Sequence, residues 1–148
     1  MEKISTGLSG VAGEYFVAAE LSRRGYMASV TLRNSDSIDI HASTPKGESL
    51  FAIQVKTQQI ATRSWPLNTK AEKLASPNLY YVFVSFKGML ERPDYFIVPS
   101  VIVAERVRLM HEKWLLAPGK KGQKHNETTM RKFEDKAEEF KERWELLK

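Results

Sequence analysis

The chain is expected to fold as an α/β domain, a mixed central β-sheet flanked by helices, and three stretches predict it. A helical apolar stripe opens the chain, an alternating hairpin occupies Ser37–Gln58, and Tyr80–Phe86 (YYVFVSF) is apolar enough for a central strand covered on both faces. With 148 residues, 42% of them hydrophobic, there is material for one core, so a single domain over residues 1–148 is expected.

Leu8–Arg24 reads as the first helix. Gly25 supplies its C′ residue, and Arg23 and Arg24 fall in the last turn, where cations complement the helix dipole. Val11, Ala18 and Leu21 mark its buried stripe, and Glu14 falls inside that stripe. A buried carboxylate needs a partner. Glu14 therefore either meets one on the core side or lies at the stripe edge, reaching solvent or an arginine. Gly7, Gly10 and Gly13 recur at a spacing of three; close packing or backbone approach to a phosphate would explain them, but no Gly-Lys-Ser/Thr follows to make a phosphate loop, and a frayed helix start is the favoured reading.

Tyr26–Arg33 reads as the first strand, and Asn34-Ser35-Asp36 as a turn in which Asp36 is a turn-former. The hairpin follows. In its first run Ile38, Ile40 and Ala42 take one face and Asp39 and His41 the other, because successive strand side chains point to opposite sides. In its second run Phe51, Ile53, Val55 and Thr57 oppose Ala52, Gln54, Lys56 and Gln58, and Thr44-Pro45-Lys46-Gly47-Glu48 carries the turn. Folding the apolar faces together collects Asp39, Gln54 and Lys56 on one polar face.

Gln59–Lys70 shows no clear periodicity and reads as a loop. It holds Arg63, Trp65 and Lys70, which would grip a phosphate backbone or stack on a base, although Trp65 equally suits the core edge. Ala71–Ala75 makes a short helical turn, and Tyr95–Val98 another strand. Ser100 then caps a helix running from Val101 towards Trp114. Pro118–Asn126 is an exposed loop and the densest basic patch, with Lys120, Lys121 and Lys124; it is either simply solvated or a phosphate contact. Asn126 caps a last amphipathic helix over about 127–147. Along it Met130, Phe133, Ala137, Phe140, Trp144 and Leu147 recur at spacings of three and four. That stripe packs on the domain or, as the alternative, makes a homodimer.

The formal net charge of +5 suits a polyanionic partner, and the segment from Glu127 onward, with seven acids and six bases, contributes none of the excess. The chain has no cysteine, which excludes disulfides and thiolate metal sites. No run approaches the ~20 apolar residues of a membrane span, and no signal-peptide core is visible, so a cytoplasmic protein with no membrane partner is expected.

The polar face of the hairpin has the chemistry of a metal-dependent phosphodiesterase. A carboxylate and an amide oxygen are hard ligands suited to Mg²⁺, and a nearby lysine can position or deprotonate an attacking water. Asp39 followed on the next strand by Gln54-Val55-Lys56 resembles the PD-(D/E)xK nuclease core, most closely the Holliday-junction-resolvase-like and Mrr-type branches, where a QxK variant occurs. Ile38 stands where the motif has Pro, and Gln54 where most members have an acid. The resemblance covers roughly Gly7–Val98 and implies a restriction-endonuclease-like core. It further implies a DNA endonuclease using Mg²⁺, or Mn²⁺, in which Glu14, Asp39, Gln54 and Lys56 form the catalytic set. In that family Asp39, Gln54, Glu14 and the Val55 backbone carbonyl would hold the metal. Arg33, Arg63, Trp65, Lys70, Lys120, Lys121 and Lys124 are the candidate nucleic-acid contacts. Because Gln54 removes one negative charge, the alternative is a catalytically weak nuclease-fold module that binds nucleic acid or protein.

Overall fold

The computed structural model describes residues 2–32 and 37–148. The expected turn at Asn34-Ser35-Asp36, and Arg33 with it, lie outside the described residues.

Helix α1 (Thr6–Arg23) starts where the Ser5 side chain accepts a hydrogen bond from the Leu8 N–H. It stops at Gly25, whose φ of 91° allows the Tyr26 N–H to fold back onto the Leu21 carbonyl. Its buried side is Ser9, Gly13, Val17, Glu20 and Leu21, so the stripe lies about one position away from the Val11/Ala18 line expected. Glu14 sits half-buried beside it.

Strands β1 (Met27–Val30), β2 (Ile40–Ser43) and β3 (Leu50–Gln58) form an antiparallel meander. Beyond β3 the chain makes strand β4 (Ser64–Asn68) and the short helix α2 (Lys70–Lys73), then returns as β5 (Leu79–Ser85), parallel to β3. β6 (Asp94–Pro99) adds antiparallel to β5, giving a five-stranded sheet in the order β1-β2-β3-β5-β6. All seven residues of β5 are buried, as its composition predicts for a strand covered on both faces.

The two faces carry separate cores. On one, Val17 and Leu21 of α1 pack on Ile40, Phe51, Ile53, Val55, Val82 and Ile97. On the other, Tyr81, Phe83, Phe96 and Val98 pack against Trp65 and Phe133, and against Val103 and Val107 of helix α3 (Ser100–Leu116). Pro99 caps α3; Ser100, the expected cap, is its first residue, and its hydroxyl instead exchanges two hydrogen bonds with the Ser76 backbone. Among the described residues no helix is long and apolar enough to cross a membrane.

The segment expected to be a helix over 127–147 is not one. Met130–Glu134 is strand β7, paired antiparallel with β4 in a separate two-stranded sheet, and the remainder is irregular up to a 3₁₀ turn at Trp144–Leu146. The reasons are local. Arg131, Phe133 and Asp135 are buried at a spacing of two, and the Asp135 carboxylate accepts the Glu139 and Phe140 N–H groups at 2.9 Å, displacing the carbonyls of a helical ladder. Glu138 and Glu142 then take φ of 55° and 56°, which no right-handed helix contains. Phe133, Phe140, Trp144 and Leu147 are buried all the same, inside this chain's own two cores, which removes the basis for a terminal-helix dimer seam. Arg92 ties the tail down by bonding both Glu20 of α1 (2.9 Å) and Glu142 (2.6 Å).

The glycine series is a packing device at one position. A Cβ at Gly13 would lie 1.9 Å from Thr57 Oγ1, so α1 crosses β3 closer than any side chain allows; Gly10 has open space instead. Gly13→Ala is therefore expected to destabilise the fold by about 1–3 kcal/mol, measured by urea unfolding, although glycine to alanine in a free helix stabilises by about 1 kcal/mol. Adding Thr57→Ala should recover part of the loss.

Candidate active site

β3 carries the alternation on which the site depends. Phe51, Ile53 and Val55 point into the core under α1, which leaves Gln54 and Lys56 on the opposite face, next to β5, where Gln54 pairs with Tyr81 and Lys56 with Phe83. Asp39 joins them from the residue just before β2. Its N–H is held by the Ile53 carbonyl at 2.9 Å, its carbonyl accepts the Thr31 N–H at 2.9 Å, and its Oδ2 accepts the Val55 N–H at 2.7 Å.

That last bond exists because β2 begins only after Asp39. Ile40, the first residue of β2, pairs with Ile53, so the backbone of Val55 faces the same side with no strand partner from β2. Both backbone groups of one strand residue face the same neighbour. Hence the Val55 carbonyl emerges beside the carboxylate that takes its N–H.

Asp39, Gln54 and Lys56 line one cleft of about 430 Å³. Its floor is completed by Tyr81 and its far wall by β4 and α2, through Pro66, Leu67, Asn68, Lys70, Ala71 and Leu74, with Ser37 at the rim. The wall is anchored. The Asn68 side chain accepts the Lys70 N–H at 2.9 Å, and Glu72 of α2 pairs with the buried Arg131 of β7, whose guanidinium also reaches the Thr128 and Met130 carbonyls.

Two features give the cleft its chemistry. Burial pushes the Asp39 carboxyl above its ordinary value near 3.8, against the opposing pull of the Val55 N–H and the Lys56 charge. The Gln54 Oε1 is buried and, among the described residues, has no hydrogen-bond partner. A buried acceptor left unpaired costs stability, and an oxygen held that way beside a carboxylate fits a hard cation. Among the described residues no three His, Cys, Asp or Glu side chains converge on one point. The donor set is therefore one carboxylate with amide and carbonyl oxygens. Such a set suits Mg²⁺, which keeps several waters, better than a softer metal.

The remaining candidates separate. Lys70 lines the cleft. Glu14 is on α1, the helix packed on the opposite face, and does not line the cleft. His41 is exposed on β2 and does not line it either. Trp65 cannot stack on a base: it is 1% exposed, donates its Nε1–H to the Val84 carbonyl and lies 5.0 Å from the Phe83 ring. Arg63 is likewise spent inside the fold, bonded to Asp94 (2.8 Å) and Glu138 (2.6 Å) over the Phe96 ring. Lys120, Lys121 and Lys124 are exposed between α3 and β7, around a turn closed by the Gly119 N–H and the Gln123 carbonyl, and do not line the cleft.

Sequence reasoning had the short turn of α2 and Lys70 but missed strand β4, with Asn68, as a wall, and the floor residue Tyr81. The available signal was the alternation of Trp65, buried, and Leu67, half-buried, around Pro66, a residue tolerated on the edge strand that β4 is.

No protein-family model and no curated protein matches the chain. Among solved structures, the bacterial homing endonuclease I-Ssp6803I is similar over 98% of this chain and 92% of its own, with 14% identity and a TM-score of 0.56. Hjc, a Holliday junction resolvase from the archaeal hyperthermophile Archaeoglobus fulgidus, matches over 85% of this chain and 88% of its own, with 14% identity and a TM-score of 0.49. At that identity the homing-endonuclease likeness shows the fold: a five-stranded mixed sheet flanked by helices, as found in a nuclease.

The shifted carboxyl yields a stability test. Below the ordinary aspartate value Asp39 is protonated folded and unfolded, and the shift contributes nothing. Above its raised folded value the ionised group costs stability, so the cost is fully present at neutral pH. Asp39→Asn, which keeps an acceptor for the Val55 N–H, should raise Tm at neutral pH, and the gain should fade on acidification. A lower Tm at neutral pH would contradict the assignment.

Proposed function

We propose that this protein is a Mg²⁺-dependent endonuclease that hydrolyses DNA phosphodiester bonds, resolvase-like or restriction-like in its chemistry. The observation that carries the reading is the unpaired buried Gln54 Oε1, opening with Asp39 and Lys56 on one cleft. Asp39, Gln54 Oε1 and the Val55 carbonyl would hold the ion; Mn²⁺ would serve in its place. When bound, the ion would supply Lewis-acid stabilisation of charge on the phosphate and lower the pKa of coordinated water. Lys56 would position the attacking water or neutralise charge developing on phosphorus, and Lys70, across the cleft, would hold a flanking phosphate. The basic balance of the chain before Glu127 favours a polyanionic partner. The homing-endonuclease neighbour supports the nuclease reading through its fold.

A second reading rests on Gln54 itself. An amide in place of an acid weakens the hold on Mg²⁺, which favours a module that binds DNA or protein without cutting.

Purified protein incubated with Mg²⁺ and a panel of duplex, single-stranded and branched DNA should cleave at least one member. Lys56→Ala and Asp39→Ala should each lower the rate by about 100-fold or more while leaving the circular dichroism spectrum unchanged. Undiminished cleavage by both variants would sink the nuclease assignment. If neither Mg²⁺ nor Mn²⁺ binds or supports cleavage, the binding-module reading stands instead, and Gln54→Glu tests whether the missing charge is the cause.

A further inference from the structure

The cleft floor contains a second polar group that no step above uses. Tyr81 lies on β5 in register with Gln54, so the two side chains are neighbours on the same sheet face, and both line the cleft. Its ring is held in place: it stacks on Phe83 at 5.4 Å and 10° between planes, and Phe83 stacks in turn on Phe133 at 4.5 Å and 7°. The phenol is 1% exposed, and none of the hydrogen bonds among the described residues uses its hydroxyl. An apolar core position has no need of that hydroxyl. Phe83, its neighbour on the same face, does without one, and the Tyr81 hydroxyl is not among the fully buried unpaired polar atoms of the described residues, which fits an O–H that reaches the cleft its residue lines.

The cleft is thereby divided by chemical type. Besides the Ser37 and Asn68 side chains, the Asp39 carboxylate and the Gln54 oxygen are acceptors there, and the Lys56 and Lys70 ammonium groups and the Tyr81 hydroxyl are donors. Acceptors suit a cation and donors an anion, and a phosphodiester with its metal ion presents both. We infer that the Tyr81 hydroxyl donates a hydrogen bond to a non-bridging oxygen of the phosphodiester seated in this cleft, making Tyr81 a substrate-binding residue. This rests on the nuclease reading for the identity of the anion, but not on catalysis. Burial pushes the phenol up to about 12, so it remains a proton donor throughout the neutral range. A lysine would add charge at this spot and would need solvating; the phenol adds directionality without a charge to bury.

Tyr81→Phe removes one oxygen and keeps the stack on Phe83. Tyr80→Phe is the matched control, because Tyr80 lies on the opposite sheet face against Phe51. Binding of fluorescein-labelled single-stranded and duplex DNA is measured by anisotropy in Ca²⁺, and single-turnover cleavage in Mg²⁺. Tyr81→Phe should weaken binding by about ten-fold, the worth of a hydrogen bond to a charged group, and slow cleavage, with Tm unchanged; Tyr80→Phe should bind as the parent does. If Tyr81→Phe binds like the parent, or if Tyr80→Phe loses as much, the inference is overturned, and so it is if the parent binds no DNA. A parent that binds DNA without cutting it, and loses affinity in Tyr81→Phe, keeps the phosphate contact and discards the nuclease reading.

Discussion

The hydrogen bond from the Val55 N–H to Asp39 Oδ2 is the constraint on which the site depends. It forms only because β2 begins opposite Ile53, so that the next outward-facing amide of β3 has no strand partner and a side chain takes it. The same bond fixes the carboxylate beside the Val55 carbonyl and within one residue of Gln54 and Lys56 along β3. One strand that outlasts its neighbour thus leaves the Asp39 carboxylate and the Val55 carbonyl beside the start of β2, with Gln54 lining the same cleft as Asp39. The Gly13–Thr57 approach on the other face sets how closely α1 can brace that strand.

Charge explains why the arrangement can remain folded before anything binds. With Gln54 where an acid would stand, the cleft holds a single carboxylate, and burial raises rather than lowers its pKa. Two carboxylates at this depth would repel each other and the incoming phosphate. The amide trades ion affinity for a milder electrostatic cost, paid as one unpaired oxygen. That exchange frames both proposed readings of the protein, since a weaker hold on Mg²⁺ would limit catalysis but would leave the proposed phosphate contacts of Lys56 and Lys70 untouched.

Much of the fold was legible because period and burial agreed. The hairpin and the wholly buried β5 follow clear patterns, α1 has its Gly25 stop although its buried stripe is offset, and α3 is found although Ser100 is not its cap; alternation puts Gln54 and Lys56 on one face, and the Val55 bond brings Asp39 to it. The tail was misread because its apolar residues, at spacings of three and four, satisfy a helix while being buried by a strand and an irregular return. The Asp135 carboxylate, which takes the N–H groups four and five residues on, and the pairing of β7 with β4, which is remote in sequence, decided the matter. In the sequence Trp65 stays open between the core edge and a base contact, and Arg63 reads as a phosphate contact, for a related reason: an aromatic and a cation in a polar stretch look solvent-facing until the partner strand, the Val84 carbonyl and Asp94 are in place. Tyr81 was hidden by its neighbours, since nothing in an unbroken apolar run marks the one hydroxyl that opens on a cleft.

The central claim is that Asp39 and Gln54 converge on a cation. Crystals of the protein soaked in Mn²⁺ and measured at the manganese absorption edge test it directly. The account predicts an anomalous peak about 2.1 Å from both an Asp39 oxygen and Gln54 Oε1, on the Val55 carbonyl side. A cleft without a peak, or a Gln54 amide hydrogen-bonded within the protein instead, would contradict it.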